Sequence, residues 1–112
     1  MNCLFCSIIN GDIPSSKVYE DEYCYAFMDI APLAPVHCII VPKVHISSAN
    51  DITSENSLNV AKIFEALPSI ASTLQLDNGY RVITNIGEDG CQSIKHLHFH
   101  LLGGKKLPEN IV

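Results

Sequence analysis

The sequence predicts an α+β fold, with an antiparallel sheet of about five strands and one long and one or two short helices on one face. Three observations lead there. Val60, Ile63, Phe64, Leu67, Ile70, Ala71 and Leu74 recur at helical spacing and mark one long amphipathic helix. Short alternating or β-branched segments stand on both sides of it, separated by Pro, Gly and Asn punctuation. The resulting order of a short helix, two or three strands, the long helix and two more strands fits an antiparallel sheet with helices packed against it.

Taken in order, residues 3–10 form a short apolar stretch ended by Gly11. Ile13-Pro14-Ser15-Ser16 marks a loop, so this is one short helix and a connection, and the domain proper begins near Lys17. Residues 23–29 alternate and are rich in aromatics. Residues 36–41 are β-branched and apolar, bounded by Pro35 and Pro42, and the two segments predict neighbouring strands. Between them, Asp29-Ile30-Ala31-Pro32-Leu33-Ala34-Pro35 is stiffened by its prolines and presents Asp29 at a strand end. Residues 46–51 suit a short helix, and the long helix is expected over about 54–76 with a kink at Pro68. After the turn Asp77-Asn78-Gly79 comes a third long strand over 80–85, then the turn Gly87-Glu88-Asp89-Gly90. A last strand runs over about 95–102, closed by Gly103-Gly104 and followed by a polar tail. No repeat or low-complexity tract interrupts this, and we expect a single domain over 1–112 with a Cys-x-x-Cys segment at 1–16.

Composition narrows the function. A chain of 112 residues supports one core and one site. With 47% hydrophobic and 17% charged residues, and no apolar run near the roughly 18 residues of a membrane span, the sequence is neither disordered nor transmembrane. Its N-terminus lacks a basic region followed by a long apolar stretch, so a cytoplasmic location is expected, with the nucleus as the alternative. The formal net charge of -5 argues against bulk affinity for nucleic acid. A small anionic substrate would need a local cationic pocket, and the five histidines, all between positions 37 and 100, are the groups able to supply one.

His96-Leu97-His98-Phe99-His100 concentrates that chemistry. In an extended segment His96, His98 and His100 share one face and Leu97, Phe99 and Leu101 the other. The apolar set explains a core-facing side, but three imidazoles in strict alternation have no packing rationale, and burying even one polar group unpaired costs about 1–3 kcal/mol. A lone strand histidine is usually structural. Three together fit either an all-histidine metal site or a nucleophile with phosphate-binding partners, and only the second gives a role to Ser93 and the glycine-bounded turn before it.

An odd count of five cysteines without an export signal favours reduced thiols or metal ligands over a disulfide framework. Cys3-Leu4-Phe5-Cys6 has the spacing that lets two thiolates reach one tetrahedral zinc, with two histidines from elsewhere completing the shell. A redox pair is the competing reading, but such motifs normally follow a strand and open a helix. Cys24, Cys38 and Cys91 have no spacing that recruits them and suit small buried positions.

The segment His96-Leu97-His98-Phe99-His100-Leu101-Leu102 resembles the defining motif of the histidine-triad (HIT) family. Gly90-Cys91-Gln92-Ser93 leads into it as in the purine nucleoside phosphoramidase (Hint-like) branch. Asp29-Ile30, Ala34-Pro35-Val36-His37 and Val41-Pro42-Lys43-Val44-His45 match in order and spacing, so the resemblance spans essentially the whole chain. It implies a hydrolase of purine nucleoside 5'-phosphoramidates or related nucleoside monophosphate conjugates, with His98 as the nucleophile that forms a nucleotidyl-histidine. It further implies that His100 bonds a phosphate oxygen, that Ser93 stands near the leaving group as a proton donor, and that backbone amides of residues 91–93 (Cys91, Gln92, Ser93) add donors without any catalytic metal. By the same resemblance Asp29 binds the ribose hydroxyls, Ile30 packs on the base, Asn85 contacts the phosphate side and His37 orients the triad. Cys3, Cys6, His45 and His96 are the implied ligands of a structural zinc, and a homodimer through the long helix and a sheet edge is implied as well. Cys91 departs from the glycine common at its position. The chain has no Trp, so the tryptophan-bearing tail of some relatives is missing here. Two other functions fit the same motifs. One is a nucleotide-binding regulatory protein without turnover. The other is a dinucleoside polyphosphate hydrolase or nucleotidylyltransferase of the sister branches, which usually replace the last triad histidine with glutamine, whereas His100 is retained here.

Overall fold

The most apolar strand in the sequence becomes the centre of the sheet. In a computed structural model, which describes residues 3–111, β3 (Val36–Pro42) is buried along nearly its whole length. It pairs on one side with β2 (Cys24–Met28) and on the other with β5 (Phe99–Gly103). The edges are β1 (Lys17–Glu20), which pairs with β2 through a bulge, and β4 (Arg81–Ile83), which pairs with β5. The sheet is wholly antiparallel in the order β1-β2-β3-β5-β4. Of its five strands, β1 is the one the sequence patterns passed over, because four residues with a register slip carry too little alternation to stand out.

Alternation along the central strands makes both faces apolar. Cys24, Ala26, Cys38 and Ile40, with Phe99 and Leu101, pack against Ile63, Leu67, Ile70 and Ala71 of the long helix α2 (Ser57–Thr73). Tyr25, Phe27, Ile39 and Val41 point the other way and are covered by Cys3, Phe5 and Ile8 from the short helix α1 (Leu4–Ile9). The expected α+β antiparallel architecture holds, but the helices do not share one face. A sheet whose middle strands are apolar on both sides needs a second cover, and α1 supplies it.

The element ends differ from the sequence expectation for identifiable reasons. Helix α2 stops at Thr73 because Gln75 turns left-handed (φ 59°), which bonds Gln75 N–H to the Ser72 carbonyl and Leu76 N–H to the Ala71 carbonyl. Its start is delayed to Ser57 by a turn in which the Thr53 carbonyl accepts from the N–H groups of Asn56 and Ser57. It continues through Pro68, which removes only one ladder donor. The short helix foreseen over 46–51 is a single 3₁₀ turn, Ala49–Asp51. Strand β5 begins at Phe99, not near 95, because its partner ends at Pro42, which has no N–H, and Leu97 N–H bonds the Ile46 carbonyl instead. Strand β4 is shorter than 80–85 because beyond Ile83 the Thr84 hydroxyl, and not a ladder pair, reaches the His98 carbonyl. No helix among the described residues is long and apolar enough to cross a membrane.

Ile40 is fully buried on β3 between α2 and both flanking strands. Replacing Ile40 with Ala should cost about 2–5 kcal/mol of unfolding free energy, read as a lowered urea midpoint with an unchanged slope.

Candidate active site

The second cover decides the setting of the histidines. His37, Ile39 and Val41 alternate onto the α1 side of β3, and the Ile39–His100 register places His100 beside them. His98 and His96 continue along the same side. The histidine face therefore does not look out to solvent: His96, His98 and His37 are 0%, 5% and 2% exposed, and His100 is half-buried. The Phe5 ring of α1 stands edge-on to His98 at 5.0 Å and to His96 at 5.9 Å between centroids. Nothing in the sequence pattern marked Phe5 for this role beyond its place between two cysteines.

Buried imidazoles require partners, and those partners fix where each proton sits. His98 Nδ1 lies 2.7 Å from the His96 carbonyl oxygen. A carbonyl only accepts, so Nδ1 carries the proton and the neutral ring has its lone pair on Nε2. His37 Nδ1 accepts from Leu33 N–H at 3.1 Å, which places the His37 proton on Nε2. That N–H points at His100 Nδ1, 2.9 Å away, with Asp29 Oδ2 at 3.4 Å as a weaker second acceptor. His100 Nδ1 is thus an acceptor and its proton is on Nε2. A bare ring nitrogen on His98 and a ring N–H on His100 stand side by side, with centroids 5.1 Å apart. Burial pushes both His37 and His100 below the ordinary imidazole range; the neighbouring histidines add to this at His100, and the Asp29 carboxylate opposes it at both. Both rings are consequently neutral near pH 7, as the hydrogen-bond chain requires. Asp29, His37 and His100 also bring ligand-type atoms within 4.8 Å of one another. Because the Leu33 bond keeps a proton on His37 Nε2, this trio is a hydrogen-bond chain and not a metal site.

His98 and His100 line a cleft of about 310 Å³ together with Phe5, Ile8, Phe27 and Ile39 and with Asp29, Ile30 and Ser93. Apolar walls with a few convergent polar groups suit a flat aromatic ligand carrying a charged tail. Asp29 keeps one oxygen on Ala31 N–H at 2.8 Å, an Asx turn that fixes the carboxylate at the end of β2. A wider depression of about 440 Å³ around Gln75, Gly79 and Lys105 contains none of the histidines.

Four of the residues expected at the ligand behave differently from one another. Ser93 is exposed, lines the cleft, and has its hydroxyl and its N–H without a protein partner among the described residues. Gln92 is buried and its amide is fully used, donating to the Ser47 and Ile94 carbonyls and accepting from Gly87 N–H. Asn85 donates to the Gly90 carbonyl at 2.7 Å. The N–H groups of Cys91 and Gln92 bond the Glu88 and Gly87 carbonyls, so of the three amides over 91–93 only that of Ser93 is left to face a ligand. Asn85, Cys91 and Gln92 build the turn that positions Ser93 and do not line the cleft. Cys91 has φ 60°, a left-handed conformation that costs a side-chain-bearing residue about 1–2 kcal/mol and explains why glycine suits the position. At Gly90 a Cβ would collide with the Ile86 carbonyl oxygen, so that glycine is required.

A second cluster lies behind the triad. Cys3, Cys6, His45 and His96 bring their ligand atoms within 4.8 Å of one another. His96 Nε2 donates to the Pro42 carbonyl at 2.9 Å, which bares Nδ1 toward Cys3 Sγ at 3.4 Å, Cys6 Sγ at 3.6 Å and His45 Nδ1 at 3.1 Å; Cys6 Sγ to His45 Nδ1 is 3.4 Å. A tetrahedral zinc with ordinary bond lengths has S···N edges of about 3.5 Å and N···N edges of about 3.3 Å. Donor types and spacings both fit, and the cluster could hold such an ion.

Comparison with known proteins agrees with this geometry. Residues 10–107 match the HIT domain family. A HIT family hydrolase from Clostridium thermocellum superposes with a TM-score of 0.96 at 43% identity, over 99% of this chain and 97% of that one. A histidine triad protein from Clostridium difficile gives 0.94 at 49% identity, over 98% and 96%. An uncharacterized HIT-like protein of Buchnera aphidicola subsp. Acyrthosiphon pisum is 46% identical over 107 residues, 95% of this chain and 94% of its own length. The chain belongs to the HIT family. Cys3 and Cys6 lie ahead of the matched range, so half of the four-residue cluster stands outside the family's shared domain.

The lowered values of His37 and His100 carry a pH dependence. As pH falls below about 6.5, the unfolded chain takes up these protons before the folded chain does, so stability should fall through this window and go on falling until the folded groups protonate. Urea midpoints measured between about pH 7.5 and 5.5, above the usual carboxylate range, should decrease toward the acid end; a flat profile would show that the two rings are not held neutral.

Proposed function

We propose that the protein is a nucleotide-binding hydrolase that cleaves purine nucleoside 5'-phosphoramidates, or related nucleoside monophosphate conjugates, through a covalent nucleotidyl-His98 intermediate. The observation that carries this reading is the pair of hydrogen bonds that fix opposite tautomers on two neighbouring rings lining one cleft, leaving a lone pair on His98 Nε2 and an N–H on His100 Nε2. His98 Nε2 attacks the α-phosphorus while the bond to the leaving group breaks. His100 Nε2–H bonds a non-bridging oxygen whose charge grows as the attack proceeds. The Ser93 hydroxyl protonates the departing amine or oxygen. Water then attacks the phosphorus and returns a proton to the Ser93 oxygen, the bond from phosphorus to His98 Nε2 breaks, and the nucleoside monophosphate is released with His98 and Ser93 both restored. Asp29 receives the ribose hydroxyls, while Ile30 and the apolar walls take the base. The name borne by the Clostridium thermocellum relative, a hydrolase, is in keeping with this chemistry.

Cys3, Cys6, His45 and His96 would hold a structural zinc that pins α1 to the histidine segment and takes no part in the displacement. We further propose a homodimer and a cytoplasmic location. Leu58 and Phe64 on the long helix are exposed apolar residues that a partner copy would cover.

Mixing the protein briefly with adenosine 5'-phosphoramidate should add an acid-labile adenylyl group to the intact mass. The His98→Ala variant should show no adduct and should lose at least roughly 10³-fold in turnover. Tight binding of AMP without adduct or turnover in the wild type would replace this reading with that of a non-catalytic nucleotide binder.

A further inference from the structure

We propose that Cys3 and Cys6 are a peroxide-oxidisable pair whose disulfide unfastens α1 and thereby disables His98. The inference rests on the role given to His98 above and on contacts between the two clusters.

The link runs through His96 and Phe5. His96 offers its side chain to the cysteine cluster and its carbonyl to His98 Nδ1, so one residue serves both sites. Phe5 lies between the two cysteines in sequence, packs edge-on against His98, and forms part of the cleft wall with Leu4 and Ile8. Helix α1 has only six residues, too few to persist unaided. Its hold on the sheet comes from Phe5 and Ile8 and from the two sulfurs at its start. The state of those sulfurs therefore bears on the position of Phe5 and on the orientation of His96, the two contacts that define the nucleophile.

The pair is placed for oxidation. Cys3 is the N-cap of α1 and Cys6 lies in its first turn, with Cys6 N–H donating to Cys3 Sγ at 3.4 Å. Residues three apart in a helical turn are within reach of a disulfide after a small adjustment. Cys6 is partly exposed and Cys3 borders a cleft of about 450 Å³ with His45, Ser47, Ser93 and Lys95, so a small oxidant can approach the pair. By contrast, Cys24 and Cys38 are fully buried in the α2 core, where no oxidant reaches their sulfurs. In the reaction one thiolate attacks a peroxide oxygen, breaking the O–O bond to give a sulfenic acid and water. The second thiolate attacks the sulfenyl sulfur, forming S–S and expelling the remaining oxygen, which leaves as a second water. Two electrons pass from the two sulfurs to one peroxide, and two protons are consumed. The neutral disulfide no longer serves as two thiolate donors, so any metal in the cluster keeps only His45 and His96. A thiol reductant reverses the step.

The test uses the full chain loaded with zinc and treated with hydrogen peroxide. Expected are the loss of two hydrogens from the intact mass, mapped to a Cys3–Cys6 peptide, and release of zinc to a chromogenic chelator. New proteolytic cleavage between residues 9 and 17 and a roughly tenfold loss of AMP affinity by calorimetry should accompany them, all reversed by dithiothreitol and zinc. The proposal is overturned if the disulfide forms and zinc leaves with proteolysis and AMP affinity unchanged, or if the pair stays reduced while exposed Cys91 is oxidised. Failure of the hydrolase reading is separate: it shows in the untreated protein as absence of adduct and AMP binding. In that case the proteolysis pattern and the ring resonances of His98 still report whether the cysteines control α1.

Discussion

The hydrogen bond from His98 Nδ1–H to the His96 carbonyl is the contact on which the site depends. It is made between residues two apart, it lies in the interior, and its acceptor cannot change roles. That combination forces the ring to present Nε2 with its lone pair, which an imidazole free in solvent does only part of the time. Around it the other buried rings are matched with equal economy: His96 to Pro42, His37 to Leu33 and His100, so that no buried side-chain polar atom among the described residues lacks a partner. An unmet partner would cost about 1–3 kcal/mol at each position, and the fold has assigned a backbone group to three of the four rings.

The sheet makes this possible because its central strands are apolar on both sides. The α2 side carries the larger core, and the α1 side carries the histidines under a thin cover that doubles as the wall of the cleft. A six-residue helix is a weak cover by itself, which gives a physical reason for fastening its first turn to His45 and His96 through two sulfurs. Stability and chemistry thus meet in His96, whose ring belongs to one cluster and whose carbonyl orients the other.

Much of the fold was legible. Period-3.6 patterning located α2, aromatic-rich alternation located β2, a β-branched run located β3, and strict alternation separated Leu97, Phe99 and Leu101 from the histidines even though regular strand geometry starts only at Phe99. The side of the sheet taken by α1 was not legible, because burial of Tyr25, Phe27, Ile39 and Val41 on the second face is a property of the assembled sheet. The membership of the histidine and cysteine clusters followed from motif resemblance, and the structure brings the same residues together. Their tautomers did not follow, since these are set by main-chain groups of Leu33, Pro42 and His96 that leave no signature in side-chain patterns. Gln92 and Asn85 show the converse: both stand in the motif region, yet their amides are committed to the backbone of the turn that places Ser93.

Nitrogen-15 NMR of the histidine rings reads these tautomers outright, because ring nitrogen shifts distinguish protonated from bare sites. At neutral pH His98 should carry a proton on Nδ1 and none on Nε2, with the reverse arrangement at both His37 and His100. A proton found on His98 Nε2 would leave that ring without a free lone pair there and overturn the proposal that His98 is the nucleophile.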